Sequence, residues 1–228
     1  MHTGDLGVVC WFLGSVIWEL VHDGPFPGTI PSRIEQLFAT IRATYAELGT
    51  GSRLTRLTRQ QFEHKDGFAS LWAKAAESRE LLVAMVLILE RCDSGSDRDG
   101  HRLAAAKALQ GMYHIFAMAP MFLSEAESTA ALESVNTYYE HHTWLLHNAL
   151  ANNRLLYNVV PKTHYLWHIA FLSRWMNPRY LWCYDAEDFM HVIVATSKAC
   201  IAGSPMMIVG NKVMENFSLS YELTVSGD

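Results

Sequence analysis

The stretch LLVAMVLIL, Leu81–Leu89, is fenced by Arg79-Glu80 on one side and Glu90-Arg91 on the other. Nine apolar residues in a row offer no polar face at a helical period. Together with the amphipathic run before it, the stretch predicts one long helix from Gly67 to about Arg91. The second half of that helix is apolar all round and belongs at the centre of a helical bundle. Nine residues also fall well short of the roughly 20 needed to span a bilayer.

The segments on either side of it read as helices too. LGVVCWFLGSVIWELV (Leu6–Val21) is a buried helix, stopped by His22-Asp23-Gly24-Pro25. Pro31 opens a helix through Leu48, with Ile34, Leu37, Phe38, Ile41 and Tyr45 at 3–4 spacing. Beyond the polar linker CDSGSDRDG (Cys92–Gly100), a helix is expected from about His101 to Met118. Ser124-x-x-Glu127 is a capping box that opens the next, to roughly Asn152. Pro161 starts PKTHYLWHIAFLSRW, and Asn177-Pro178-Arg179 breaks it. YLWCY (Tyr180–Tyr184) is short, aromatic and compatible with an extended segment. Asp185 then caps a helix over Ala186–Ala199, and a last helix covers Met206–Phe217. No alternating pattern of any length and no internal repeat is present. The fold class is mostly all-α, with at most one or two short strands.

Composition narrows the function classes. The 228 residues are 50% hydrophobic and 18% charged, which excludes a disordered chain. At 25.8 kDa the folded chain should expose roughly 10,000 Å² of about 37,000 Å² in the extended form, enough burial for a substantial core. Eighteen basic against 23 acidic residues give a formal charge of −5, and the pI is near 6.1. An autonomous nucleic-acid-binding domain usually carries a basic stripe and a high pI. The one basic cluster is RLTRLTRQQFEHK, where Arg53, Arg56 and Arg59 would line one side of a helix or sit in a solvated loop. The four cysteines are far apart and form no CxxC pair, so free thiols in a reducing compartment are expected. The start, MHTGD, carries no Lys or Arg, and the apolar run after it lacks a signal-peptide cleavage pattern. A soluble, intracellular chain with no membrane partner is the expectation.

Motifs for chemistry are sparse. There is no HExxH, no G-x-S-x-G and no phosphate loop, and neither Glu140-His141 nor Glu63-His64 has the Glu-x-x-His spacing of a di-iron bundle. His164 and His168 stand at i, i+4, which is metal-ligand spacing, although their aromatic neighbours suggest interhelical hydrogen bonding instead. Asp185 and Asp188 read as a capping pair at a helix start, with Glu187 between them. A carboxylate there could hold a hard divalent cation.

Three segments together resemble the eukaryotic DDE-type transposases of the CACTA/Plavaka-like kind. MHTGDLGVVCWFLGSVIWELVHDG (Met1–Gly24) resembles their D-x-M-H-x-x-x-L-G segment. PKTHYLWHIA (Pro161–Ala170) resembles their P-x-x-H-x-x-x-H segment. NPRYLWCYDAEDFMHVI (Asn177–Ile193) resembles the aromatic run leading to a helix with a Glu near its start. The resemblance implies a ribonuclease-H-like core in which two Asp and a later acid bind two Mg²⁺ or Mn²⁺ ions for DNA cleavage and strand transfer, with a helical insertion before the last acid. It implies three parts: residues 1–23 closing a truncated core, residues 24–158 as the insertion, and residues 159–228 carrying the third acid. Glu187 matches that acid, with Asp188 as a further metal-side candidate. Arg53, Arg56, Arg59 and Lys162 are the candidates for contact with DNA, and a nuclear location is implied.

The departures are specific. The family's second Asp lies two residues before its Met-His pair, which here is Met1-His2, and Asp5 stands in the wrong place to substitute. Four residues after the Glu, where the family has Gly, this chain has His191, and Lys198 lies further on. One acidic ligand cannot assemble a paired-cation centre. The sequence therefore predicts a transposase-derived fragment that is catalytically incomplete alone, with DNA as partner only in a longer parent protein. The alternative is a helical protein-interaction module with no nucleic-acid role, which would meet a partner or a second copy through exposed apolar surface.

Overall fold

The computed structural model describes residues 3–65, 67–181, 184–201, 203 and 205–225, and those residues contain eight α-helices and no strand. The chain divides into two compact units, Met1–Leu181 and Trp182–Asp228.

The first unit is built around its N-terminal helix. A π-helical turn, Gly4–Val9, in which the Val8 N–H reaches the Thr3 carbonyl at 2.9 Å, runs directly into α1 (Cys10–His22). Gly4–His22 is long and apolar enough to cross a bilayer, and most of it is buried inside this unit. Around it lie α2 (Ile30–Leu48), α3 (Ala75–Arg91), α4 (Asp97–Met118), α5 (Glu125–Ala151) and α6 (Pro161–Leu172). α4 and α5 form a long hairpin, α3 joins that hairpin to α2, and α6 returns against α5 and the π-helical turn. Leu81, Leu82, Ala84, Met85, Ile88 and Leu89 are all buried, as an apolar cylinder at the centre of a bundle requires.

The ends of the helices follow their capping chemistry. Pro31 lies in the first turn of α2, and Gly49 stands just past its end at φ +65°, the left-handed conformation a helix stop favours. Ser124 and Glu127 close the capping box of α5. α4 starts at Asp97, ahead of the expected His101. The Ser96 hydroxyl accepts the Asp99 N–H at 3.2 Å, and Asp97 and Asp99 put negative charge at the positive end of the helix.

The largest difference from the sequence reading is residues 67–74, expected to be helical and found as an extended strap. The Ala69 N–H goes to the Leu155 carbonyl at 3.0 Å, Leu71 to Cys10 at 2.8 Å and Trp72 to Gln61 at 2.7 Å. Acceptors remote in sequence thus replace those four residues back, and α3 begins only at Ala75. The strap lies so close to α1 that a Cβ on Gly14 would stand 2.4 Å from the Ser70 Cα. Residues 53–65 are not a continuous helix either. Leu54 and Leu57 turn inward along an irregular chain, and only Arg59–Gln61 forms a 3₁₀ turn.

Residues 178–181 of YLWCY's approach form a 3₁₀ turn, Pro178–Leu181, rather than an extended segment, while Trp182 and Cys183 lie outside the described residues. The second unit is a helical pair, α7 (Tyr184–Ile201) and α8 (Met206–Val225), packed on each other. Since α7 begins at Tyr184, Asp185 lies within its first turn instead of capping it.

Candidate functional site

α1 is almost wholly apolar, so Glu19 at 2% exposure needs partners. Arg102 of α4 reaches it at 3.3 Å, Arg98 lies 3.7 Å away, and the Tyr157 hydroxyl donates to it. One turn further along α1, Asp23 pairs with Arg98 at 2.9 Å and with Arg154. Asp99 closes the group by pairing with Arg102 and accepting from the Ser94 hydroxyl at 2.5 Å. Three carboxylates and three guanidiniums balance in charge. Burial works against the charged form of Asp23, but the Arg154 hydrogen bond and charge, with Arg98 behind them, hold its carboxyl below the usual range.

Tyr157 sits at φ +58°, an outlier for a bulky residue. Its backbone N–H donates to the Ser15 hydroxyl at 2.7 Å while its side chain holds Glu19, so both ends are fixed to α1. Phe12, Tyr138, His142 and Tyr157 pack as one aromatic group, with Phe12 edge-on to Tyr138 at 5.9 Å. Burial there pushes the His142 imidazole down to about 4.

Beside this network opens a hollow of about 180 Å³ lined by Trp18, Glu63, His64, Asn153 and Arg154 among others. The Trp18 ring stacks on His22 at 4.0 Å, and the Arg154 guanidinium lies 5.3 Å from the Trp18 centroid. His22 Nε2 meets Glu63 at 3.2 Å. The Arg59 hydrogen bond, aided by His22, holds the Glu63 carboxyl below its ordinary range. The result is an imidazole–carboxylate pair beside an indole face, with the carboxylate also held by Arg59.

The residues singled out from sequence fall elsewhere. Arg59 is bound to Glu63 at 2.6 and 2.7 Å. Arg53 donates to the Thr50 carbonyl at 2.6 Å and lines a groove of about 700 Å³ with Arg42, a cation the motif reading missed. Arg56 is exposed, and the irregular chain does not place the three arginines on one helical face. Lys162 reaches the Leu6 carbonyl at 3.4 Å. His164 and His168 meet each other on α6, their Nε2 atoms 2.9 Å apart, so the pairing is within one helix. The bond between helices belongs to His101 and His141, at 2.8 Å. Glu187 and Asp188 lie near the start of α7, and their side chains, like Met1 and His2, are outside the described residues.

The buried network could have been suspected from sequence. A glutamate inside an apolar helix demands a partner, Glu19 and Asp23 are four apart, and so are Arg98 and Arg102.

Paired Mg²⁺ or Mn²⁺ ions require several carboxylates converging from different elements. Among the described residues no three His, Cys, Asp or Glu side chains come together to hold a metal ion. Comparison of the chain with protein-family profiles, with curated proteins and with solved structures gives no match.

Proposed function

We propose that the chain is the helical part of a protein derived from a DDE-type, CACTA/Plavaka-like transposase, and that this polypeptide by itself neither cuts nor joins DNA. The three motif segments and their order support the first half. The second half is carried by the carboxylates of the first segment, Met1–Gly24. Asp5 is buried and accepts the Tyr113 hydroxyl at 2.5 Å, while Glu19 and Asp23 are taken by arginines and Tyr157. That leaves Glu187 as the one acid the resemblance assigns to catalysis, with Asp188 beside it. DNA contact and a nuclear location then belong to a longer parent protein. Nicking of supercoiled DNA in Mg²⁺ or Mn²⁺, wild type beside Glu187→Ala, tests the reading.

A second reading is a protein-interaction module, favoured by one surface. The Asn177 side chain donates to the Phe116, Ala119 and Pro120 carbonyls at 2.9–3.1 Å and ties the Pro178–Leu181 turn to the end of α4. The tie gathers exposed Met118, Met121, Phe122, Tyr180 and Leu181. Such apolar exposure marks protein contact. DNA binding that weakens with salt, and less steeply so in the Arg53/Arg56/Arg59→Ala variant, would count against this reading.

A further inference from the structure

His164, exposed, and His168, half-buried, stand one turn apart on α6. Their Nε2 atoms are 2.9 Å apart, their ring centroids 4.5 Å, and their planes 88° to each other. These distances bear on two kinds of contact. An N–H···N hydrogen bond with both ring axes on the N···N line would hold the centroids about 5.2 Å apart, since each ring nitrogen lies about 1.15 Å from its centroid, and an accepting ring turned sideways shortens that to about 4.5 Å. Two imidazoles aimed at one ion about 2.05 Å from each nitrogen, at about 90°, put the nitrogens about 2.9 Å and the centroids about 4.5 Å apart. The pair on α6, two imidazoles one turn apart with perpendicular rings, matches the two-donor arrangement, and without an ion the same distances suit a sideways hydrogen bond. His101 and His141 have nearly the first, with nitrogens at 2.8 Å and centroids at 4.9 Å.

We propose that His164 and His168 form a bidentate imidazole site for a late first-row dication of tetragonal or octahedral geometry, Cu²⁺ foremost. Tetrahedral Zn²⁺ would spread the two nitrogens to about 3.3 Å. Cu²⁺ heads the affinity order for such donors and favours ligands at right angles. His164, though not His168, also lines an open hollow of about 520 Å³ with Tyr139, Thr143 and Val160; the exposure of the pair on α6 leaves the remaining coordination positions to water. The positive end of α6 opposes a cation, so binding rests on the two imidazoles and the ion stays exchangeable. The site is independent of the transposase reading.

The test is titration of the full chain with Cu²⁺ at pH 7.5, followed by calorimetry and by electron paramagnetic resonance. The tightest equivalent should show two equatorial nitrogens. His164→Gln and His168→Gln should each weaken it at least about tenfold, as loss of a chelating nitrogen exceeds the loss of an outer partner. His147→Gln, on exposed α5 surface, should leave it unchanged. Survival of that equivalent in both variants, its loss with His147→Gln or His101→Gln, or a wild-type spectrum with fewer than two nitrogens would overturn the proposal. The spectrum decides the matter even where a variant fails to fold.

Discussion

The Tyr157 hydroxyl donates to the Glu19 carboxylate across 138 positions of sequence, deep in the first unit. This bond fixes the loop after α5 to the central helix, and Arg102 holds the same carboxylate from α4. A hydrogen bond to a buried charge is worth about 1.5–3 kcal/mol, so Tyr157→Phe should lower stability by about 2 kcal/mol. Glu19→Ala should cost more, about 3–5 kcal/mol, because it leaves the Arg102 guanidinium buried and unpaired. Urea unfolding of the two variants reads the difference, and equal losses would contradict the ranking.

His142 gives the fold an acid sensitivity. Its folded pKa of about 4 lies below the ordinary value of 6.5, so the unfolded chain binds the proton more readily. Its contribution is fully present above about pH 6.5 and is lost as the pH falls towards 4, an effect of order 3 kcal/mol. Urea midpoints measured from pH 7.5 to 4 should drop along this window, and the drop should shrink in His142→Phe.

Gly14 is where α1 touches the strap of residues 67–74. A methyl group there meets Ser70 backbone at 2.4 Å, and backbone cannot step aside as a flexible side chain can. Gly14→Ala should therefore destabilise by about 3 kcal/mol despite the better helix propensity of alanine. A thermal midpoint at or above that of the wild type would show that the contact yields.

Ser124 is a cap read directly from sequence. Ser124→Ala removes the acceptor for the Glu127 N–H and should cost about 1 kcal/mol in thermal unfolding. A cost near zero would mean that the first turn of α5 is held by packing alone.

The contrast between these sites shows what the sequence conveyed. Pro31, Gly49, Ser124 and Pro161 act within a few residues, so the helices they bound could be read from local chemistry. Residues 67–74 could not, because the carbonyls of Cys10, Gln61 and Leu155 that hold them are distant in the chain. The early start of α4 was legible in principle from Ser96 and its following aspartates. Of the candidate site, His164 and His168 were visible as a spacing, but only the structure turns both Nε2 atoms towards each other, 2.9 Å apart. The balance of Glu19, Asp23 and Asp99 against Arg98, Arg102 and Arg154 draws on three distant segments, and spacing within each one showed only half of it.

The central claim proposed here is that this polypeptide does not by itself bring together the carboxylates needed to activate water or a 3′-hydroxyl on DNA. The most direct measurement is conversion of supercoiled plasmid to nicked and linear forms in Mn²⁺ by the purified chain, beside Glu187→Ala. The account predicts the same trace background for both. Nicking by the wild type that disappears in Glu187→Ala would contradict it.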